Sequence, residues 1–565
     1  MDIKEFENPP SRYKGAPFWG WNGKLDNEEL IRQIDVFKEM GFGGFQMHPR
    51  TGLDTEYLGQ EYMDAVKACV EKAEKEDMSA CLYDEDRWPS GFAGGLVTKN
   101  KKFAARQLLF TPVSYEEYGE VNFTPDFSTT RTRSGNGVLI ACYDIVLDKN
   151  GNLSGATRIS SDTEPRGTKW YAYHETALPS PWFNGYTNVD VADSEAIDEF
   201  IKTTHEKYFE TVGDKFGKTV PTIFTDEPQV AFKRVLDNPF EKKDVLLAWS
   251  RKIEEEYKKM FGEDILDTLP LVIWEGENSS QAKYIYHNII AEMFATNFCD
   301  KIGDWCKKHG IKFTGHMISE GSLRCQTENI GDVMRGYRGM HVPGVDNLCD
   351  DRDFIAIKQA VSSSRQSSTG EVLCELYGVT NWNFDFRQLK FQGDWQAAIG
   401  VSTRCHHLSW YTMKGEAKRD YPITFSYQAP WYKKFSYLED HYSRIGYTMA
   451  QGKSKVSLCV LNPVESLWVD YGNIKQTIGK QSETEKNYTD VMETLMFNHI
   501  EFDCVSEANI ERMLGECKTG IKLGNCEYTT VILPGCKTLR SSTVEILNSF
   551  ENRGGKIIFI GCNVQ

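Results

Sequence analysis

An α/β fold built on a closed (β/α)8 barrel is expected from three features of this chain. Eight short apolar runs alternate with amphipathic helical windows between residues 16 and 409, the rhythm of parallel strands joined by helical crossovers. Two of those runs end abruptly in acids, Thr222-Ile223-Phe224-Thr225-Asp226-Glu227-Pro228 and Glu371-Val372-Leu373-Cys374-Glu375, and barrel enzymes build their sites from such strand tips. At 565 residues the chain also exceeds what one hydrophobic core sustains, so a second, smaller domain is expected.

The expected barrel strands are 16–21, 43–47, 79–83, 221–225, 312–316, 342–347, 371–376 and 400–409. Between them, windows 27–40, 58–76, 194–216 and 282–309 carry apolar residues at i, i+3, i+4 spacing and read as helices. Residues 104–190, between the third and fourth strands, are too long for a βα loop and rich in Thr, Ser, Gly and Tyr. They are expected to form an inserted β-rich subdomain, with a strand at 137–143 and a hairpin turn at 148–152. After residue 453 the rhythm restarts with strands at 456–461, 501–505, 530–533 and 556–560 and helices at 483–498, 507–515 and 541–552. The expected domains are therefore 1–453, a catalytic barrel carrying the 104–190 insertion, and 454–565, a small open-sheet α/β domain that reads as truncated.

A net charge of −16 argues against nucleic acid or an anionic membrane as partner, because phosphate recognition needs clustered Lys and Arg. A neutral polar ligand such as a carbohydrate fits better, with homo-oligomerisation left open. The opening residues Met1-Asp2-Ile3-Lys4-Glu5 lack the apolar core of a signal peptide, and no run of 18 apolar residues follows, so a cytoplasmic location is expected. Fifteen cysteines are scattered without a Cys-x-x-Cys pair, which suggests neither a zinc ribbon nor a disulfide framework.

Glycosidic bond hydrolysis needs one carboxyl group held neutral to protonate the leaving oxygen and a second held ionised as nucleophile or base. Glu227 after the fourth strand and Glu375 at the seventh are the candidates. Glu320, after the fifth strand, is a third; it reads as an alternative base, as a ligand of a divalent cation, or as a charge at a helix N-terminus. The run Tyr83-Asp84-Glu85-Asp86-Arg87-Trp88 places Asp84 and Asp86 to accept from sugar hydroxyls and Trp88 to stack on a pyranose face, the alternative being a solvated acidic loop. Trp19, Trp21, His48, Asp226, His316, Trp382 and Trp410 complete the expected substrate-binding set, although each aromatic has a competing reading as core packing. His316, His341, His406 and His407 form no His-x-x-x-His pair, so a catalytic zinc has little support.

Together with Pro17-Phe18-Trp19-Gly20-Trp21-Asn22-Gly23, Phe224-Thr225-Asp226-Glu227-Pro228 and Gly315-His316, these residues resemble family 106 glycoside hydrolases, the α-L-rhamnosidases, over residues 14–450. The resemblance implies a TIM barrel interrupted by a β insertion, an exo-acting site that removes a terminal sugar with inversion, and a calcium ion near the sugar hydroxyls. On that mapping Glu227 looks like the general acid and Glu375, or Glu320, like the base, and no cofactor is required for the chemistry itself. The tail from Thr530-Val531-Ile532-Leu533-Pro534-Gly535 to Gly561 resembles the flavodoxin-like, glutamine-amidotransferase-like domain that follows the barrel in family 42 β-galactosidases, where it serves assembly. The chain departs from family 106 in lacking the expected C-terminal β-sandwich domains and a secretion signal. A β-galactosidase-like retaining glycosidase, a non-catalytic carbohydrate-binding barrel and a metal-dependent hydrolase or lyase are the rival expectations.

Overall fold

A computed structural model describes residues 1–119, 132–349, 351–367, 369–418 and 420–562. The expected units 104–190 and 454–565 therefore include stretches, 120–131 and 563–565, that lie outside the described residues.

The centre is a nearly closed parallel sheet of the barrel type. Its strands are β1 (Phe18–Trp21), β2 (Gly44–Pro49), β3 (Ser79–Tyr83), β4 (Thr222–Asp226), β5 (Lys312–His316), β6 (Val342–Asn347), β7 (Leu373–Leu376) and β8 (Thr403–His406), which resumes as Ser409–Trp410. The first half of β8 pairs with β7 and the resumed half with β1, so the ring is joined through one interrupted strand. All neighbours are parallel, and every strand therefore delivers its last residues to the same end.

Strand alternation sorts the side chains. Phe18, Tyr83, Phe224, Val342, Leu373, Cys405 and Trp410 form a cluster inside the ring. Trp19 and Trp21 have the opposite parity to Phe18 and join the larger core between sheet and helices. There Trp19 meets Phe37 of the helix Asn27–Glu39, and Trp21 meets Tyr62 of the helix Gln60–Glu76. Asp26 starts the first of these helices by accepting from Glu29 N–H at 2.9 Å, the role of an N-cap. The windows at 194–216 and 282–309 are helical but broken by π-type turns at Ile201–His205 and Ala295–Asp300.

The insertion holds an antiparallel sheet built from Arg106–Thr111, Val138–Leu147, Leu153–Ile159 and Thr168–Thr176. A fifth strand, Val245–Trp249, arrives from the loop after β4 and pairs with Arg106–Thr111. That strand was not expected from the sequence, and it ties the insertion to the loop that begins at Glu227.

Beyond the barrel, Leu458–Asn462, Asp503–Ser506, Thr530–Pro534 and Lys556–Ile560 form a four-stranded parallel sheet, with Leu458–Asn462 and Thr530–Pro534 at its centre. It is fixed to the barrel by buried ions. Arg335 after β5 pairs with Asp332 and, at 2.7 Å, with Glu465, which also receives Arg540. No helix among the described residues is long and apolar enough to cross a membrane.

Candidate active site

Register assembles the candidate site. Asp226 at the end of β4 lies beside His316 at the end of β5, and Asp346 of β6 lies beside Glu375 of β7. Asp226 and Glu375 have the parity of the interior residues two positions below them, Phe224 and Leu373, and His407 has that of Cys405. The interior apolar layer thus ends in a polar one. A cleft of about 130 Å³ opens above it, lined by Arg50, Trp88, Asp226, Glu227, Asp346, Leu348, Glu375, His407 and Tyr421.

His316 is buried at the floor of this layer, its Nε2 2.8 Å from Glu375 Oε2 and 3.5 Å from Asp226 Oδ1. His407 Nε2 lies 3.7 Å from the other oxygen of Glu375. Burial alone would lower the pKa of His316, but the hydrogen bond to Glu375 and the charges of Asp226, Glu375 and Asp346 raise it well above the usual imidazole value. Burial, then the neighbouring Asp346, pushes Glu375 up to about 8, while His316 pulls the other way. Asp346 is raised by the same burial, and its Oδ1 is buried with no hydrogen-bond partner. Asp226 accepts from the Tyr83 hydroxyl at 2.6 Å, and its own N–H donates to Ser90 Oγ at 2.8 Å.

Glu227 breaks the strand parity. Its φ of +45° places a non-glycine residue in the left-handed region, turning the chain at the tip of β4. The half-buried carboxyl lines the cleft, makes no hydrogen bond to the described residues, and is pushed up to about 8 by burial and by the adjacent Asp226.

Trp88 forms one wall. It packs edge-on against Trp182 of the insertion at 4.7 Å, while the Arg50 guanidinium sits 4.5 Å from its ring centre. Arg50 itself is held by Asp420 and by His48.

Of the residues expected in the site, Glu227, Glu375, Asp226 and Trp88 line the cleft and His316 supports it from below. The others lie outside the cleft lining. Glu320 is buried beside the cleft with both oxygens engaged, Oε1 by Met317 N–H and the Tyr337 hydroxyl, Oε2 by Asp346 N–H at 3.1 Å. It braces the chain that carries Asp346 and is not open to a substrate or a cation. Trp19 and Trp21 are fully buried on the helix side of the sheet because of their parity. Trp410 fills the ring interior under Arg50. His48 is buried and stacked on Tyr83 at 3.9 Å. Asp84 is buried and accepts from Ser90 Oγ at 2.6 Å, while Asp86 pairs with Arg87 and accepts from Asn184. Trp382, 44% exposed, lies on the chain after β7 and outside the cleft lining.

The histidines do not gather. His406 faces Glu439 on the helix side and His341 accepts from Phe313 N–H, leaving His316 and His407 near the cleft. The calcium that the family resemblance implies does not find its donor set here. Calcium takes six to eight oxygen ligands, whereas Glu320 is fully occupied and the side chains that converge are Asp226, His316 and Glu375, their ligand atoms within 4.8 Å of one another. The central imidazole is bonded to Glu375 and favoured in its charged form, in which both ring nitrogens carry protons and neither offers a lone pair to a cation.

Arg50, Asp346, Leu348, His407 and Tyr421 line the cleft and were not among the residues expected to do so. Parity was the available signal for four of them, since Arg50 lies two residues beyond His48, Asp346 and Leu348 four and six beyond Val342, and His407 two beyond Cys405. Tyr421 comes from a long loop and carried none.

No protein-family model matches the chain, and neither does any curated protein. Solved structures do. The rhamnosidase from Novosphingobium sp. PP1Y superposes on 99% of this chain and 70% of its own, with TM-score 0.67 and 14% identity. The cold-adapted β-galactosidase from Rahnella sp. R3 covers 96% of this chain and 71% of its own, with TM-score 0.55 and 9% identity. A catalytic mutant of a GH42 β-galactosidase from G. stearothermophilus covers 98% of this chain and 72% of its own, with TM-score 0.54 and 9% identity. At these identities it is the superposition that establishes a shared fold.

Proposed function

We propose that the protein is a glycoside hydrolase that removes a terminal sugar, with α-L-rhamnosidase-like specificity, Glu227 as general acid and Glu375 as base or nucleophile. The observation that carries this reading is that both glutamates line one small cleft at the carboxyl end of a barrel, in two different electrostatic settings.

Glu227 makes no hydrogen bond to the described residues and sits beside Asp226, so it keeps its proton near neutral pH and can give it to a leaving oxygen. Glu375 is bonded to an imidazole whose positive form is favoured; this contact opposes the burial and the Asp346 charge that hold its proton and orients one oxygen, so the carboxylate reached on ionisation is aimed for attack or for activating water. Asp226 and Asp346 add negative charge around the spot where an oxocarbenium-like centre would develop, and Trp88 offers a flat apolar wall to a sugar ring. A cleft of about 130 Å³ suits a single terminal residue better than an extended chain. The shared fold with a rhamnosidase and with GH42 β-galactosidases supports the reaction class.

The test is a panel of aryl glycosides, including α-L-rhamnoside and β-D-galactoside, assayed with wild type, Glu227→Gln and Glu375→Gln, each with and without EDTA. Release of one sugar by wild type and loss of about 10³-fold or more in both variants is expected. Full activity in either variant removes that residue from the mechanism. The anomer first formed, read by NMR, separates inversion from retention.

A further inference from the structure

Two of the fifteen free cysteines stand side by side, far along the chain from the cleft residues. Strands Thr530–Pro534 and Lys556–Ile560 are parallel neighbours in which Pro534 pairs with Ile560 and Gly535 N–H donates to the Ile560 carbonyl at 2.8 Å. Counting two residues on from that pair brings Cys536 and Cys562 level with one another at the sheet's carboxyl edge. Adjacent strands lie about 4.8 Å apart, inside the range of about 4.4–6.8 Å between Cα atoms that a disulfide spans.

The side chains turn together. Cys562 Sγ reaches across to the Leu533 carbonyl at 2.8 Å, and Cys536 Sγ lies 3.7 Å from the Pro534 carbonyl. Cys536 is fully buried, whereas Cys562 is half exposed. One thiol is partly open to solvent and the other is enclosed.

We propose that Cys536 and Cys562 form a dithiol modification site that exchanges with low-molecular-weight disulfides, Cys562 attacking first and Cys536 resolving. The proximity of Cys536 holds the Cys562 thiol down to about 6, which favours its thiolate at neutral pH, and the same proximity raises Cys536. In the first step the Cys562 thiolate attacks one sulfur of glutathione disulfide and expels one glutathione thiolate, leaving a mixed disulfide. In the second, Cys536 loses its proton and attacks the Cys562 sulfur, expelling the second glutathione thiolate. Two protein thiols are oxidised, one glutathione disulfide is reduced, and the two protons end on the two glutathione thiols. The product would staple the edge strand Lys556–Ile560, and the helix Ser541–Asn552 before it, to the sheet interior.

The experiment treats the full chain with glutathione disulfide, blocks remaining thiols with iodoacetamide, and maps the non-reduced digest by mass spectrometry. Wild type should yield one linked species joining the peptides of Cys536 and Cys562, reversed by dithiothreitol. Cys536→Ser should stop at a glutathione adduct on Cys562, formed faster than the adduct at the exposed Cys349, and Cys562→Ser should leave Cys536 unmodified. Absence of the linked species in wild type overturns the proposal, as does an adduct on Cys562 in Cys536→Ser that forms no faster than at Cys349. Neither readout depends on glycosidase activity.

Discussion

His316 Nε2 stands 2.8 Å from Glu375 Oε2, a contact created by two neighbouring strand tips and closed off from solvent. A buried imidazole set among Asp226, Asp346 and Glu375 is the positive centre of an acidic layer. Removing one partner of such a pair leaves the other buried and uncompensated. His316→Gln should therefore raise the affinity of Glu375 for its proton and lower kcat/KM on the responsive aryl glycoside by about 10²-fold or more. Circular dichroism and thermal melting would confirm that the variant folds; a folded variant with wild-type kcat/KM would dismiss the pairing as functionally idle.

The pH dependence follows from Glu227. An acid that works protonated and is held up to about 8 supports activity below that value and loses it above. The alkaline limb of kcat/KM should consequently fall near pH 8, and a leaving group that needs no protonation, such as 2,4-dinitrophenol, should flatten the Glu227→Gln defect. An alkaline limb unchanged in Glu227→Gln would assign it to another group.

Glu320 makes a stability prediction of definite sign. Burial raises its carboxyl from an ordinary 4.5 to about 8 in the folded chain. The folded state then binds the proton more tightly than the unfolded one, so the stability it contributes is complete below about 4.5 and is lost as pH rises towards 8. The difference in Tm between pH 5 and pH 8 should shrink in Glu320→Gln relative to wild type, by an amount worth on the order of a few kcal/mol. The buried neutral histidines His48 and His407 act in the opposite direction but are common to both proteins and cancel in the comparison. Equal pH slopes would mean that Glu320 is not a buried acid with a raised affinity for its proton.

Trp88 joins cleft, insertion and Arg50 in one stack. Truncating it to alanine removes the flat wall without touching either glutamate. KM should rise by about tenfold with a smaller change in kcat, in line with the roughly 0.5–3 kcal/mol that aromatic and cation–π contacts contribute. A drop in kcat alone would instead point to a role in positioning the reacting groups.

Strand positions and their acids were legible because a parallel barrel writes itself as short apolar runs ending in polar tips. Side-chain direction was legible too, but only through parity. Phe18 and Gly20 share one face of β1, so Trp19 and Trp21 share the other, and the same count that removes them from the cleft brings in Asp346 and Arg50. Glu227 escapes the count through its left-handed turn, a conformation no residue type at that position announces. Glu320 looks like a strand-tip acid and becomes a brace because the loop after β5 folds back on Met317 and Asp346, a tertiary event without a local pattern. Val245–Trp249, an apolar run in a long loop, gave no hint that its partner strand lies in the insertion.

Two glycines should respond to alanine with opposite signs. Gly315 in β5 has φ +137° and faces β4 so closely that a Cβ would sit 2.0 Å from the Thr225 carbonyl oxygen. No side chain can yield there, because the obstacle is backbone of the strand that carries Asp226. Gly315→Ala should cost at least about 3 kcal/mol and, in whatever folds, separate Asp226 from His316. Gly479 lies in the helix Ile474–Phe497 with nothing within 4 Å of its would-be Cβ. Alanine there restricts the unfolded chain and favours the helix, so Gly479→Ala should stabilise by about 0.5–1 kcal/mol. Urea titration of both variants decides the matter: a tolerated Gly315→Ala would refute the tight β4–β5 approach on which the placement of Asp226 against His316 depends.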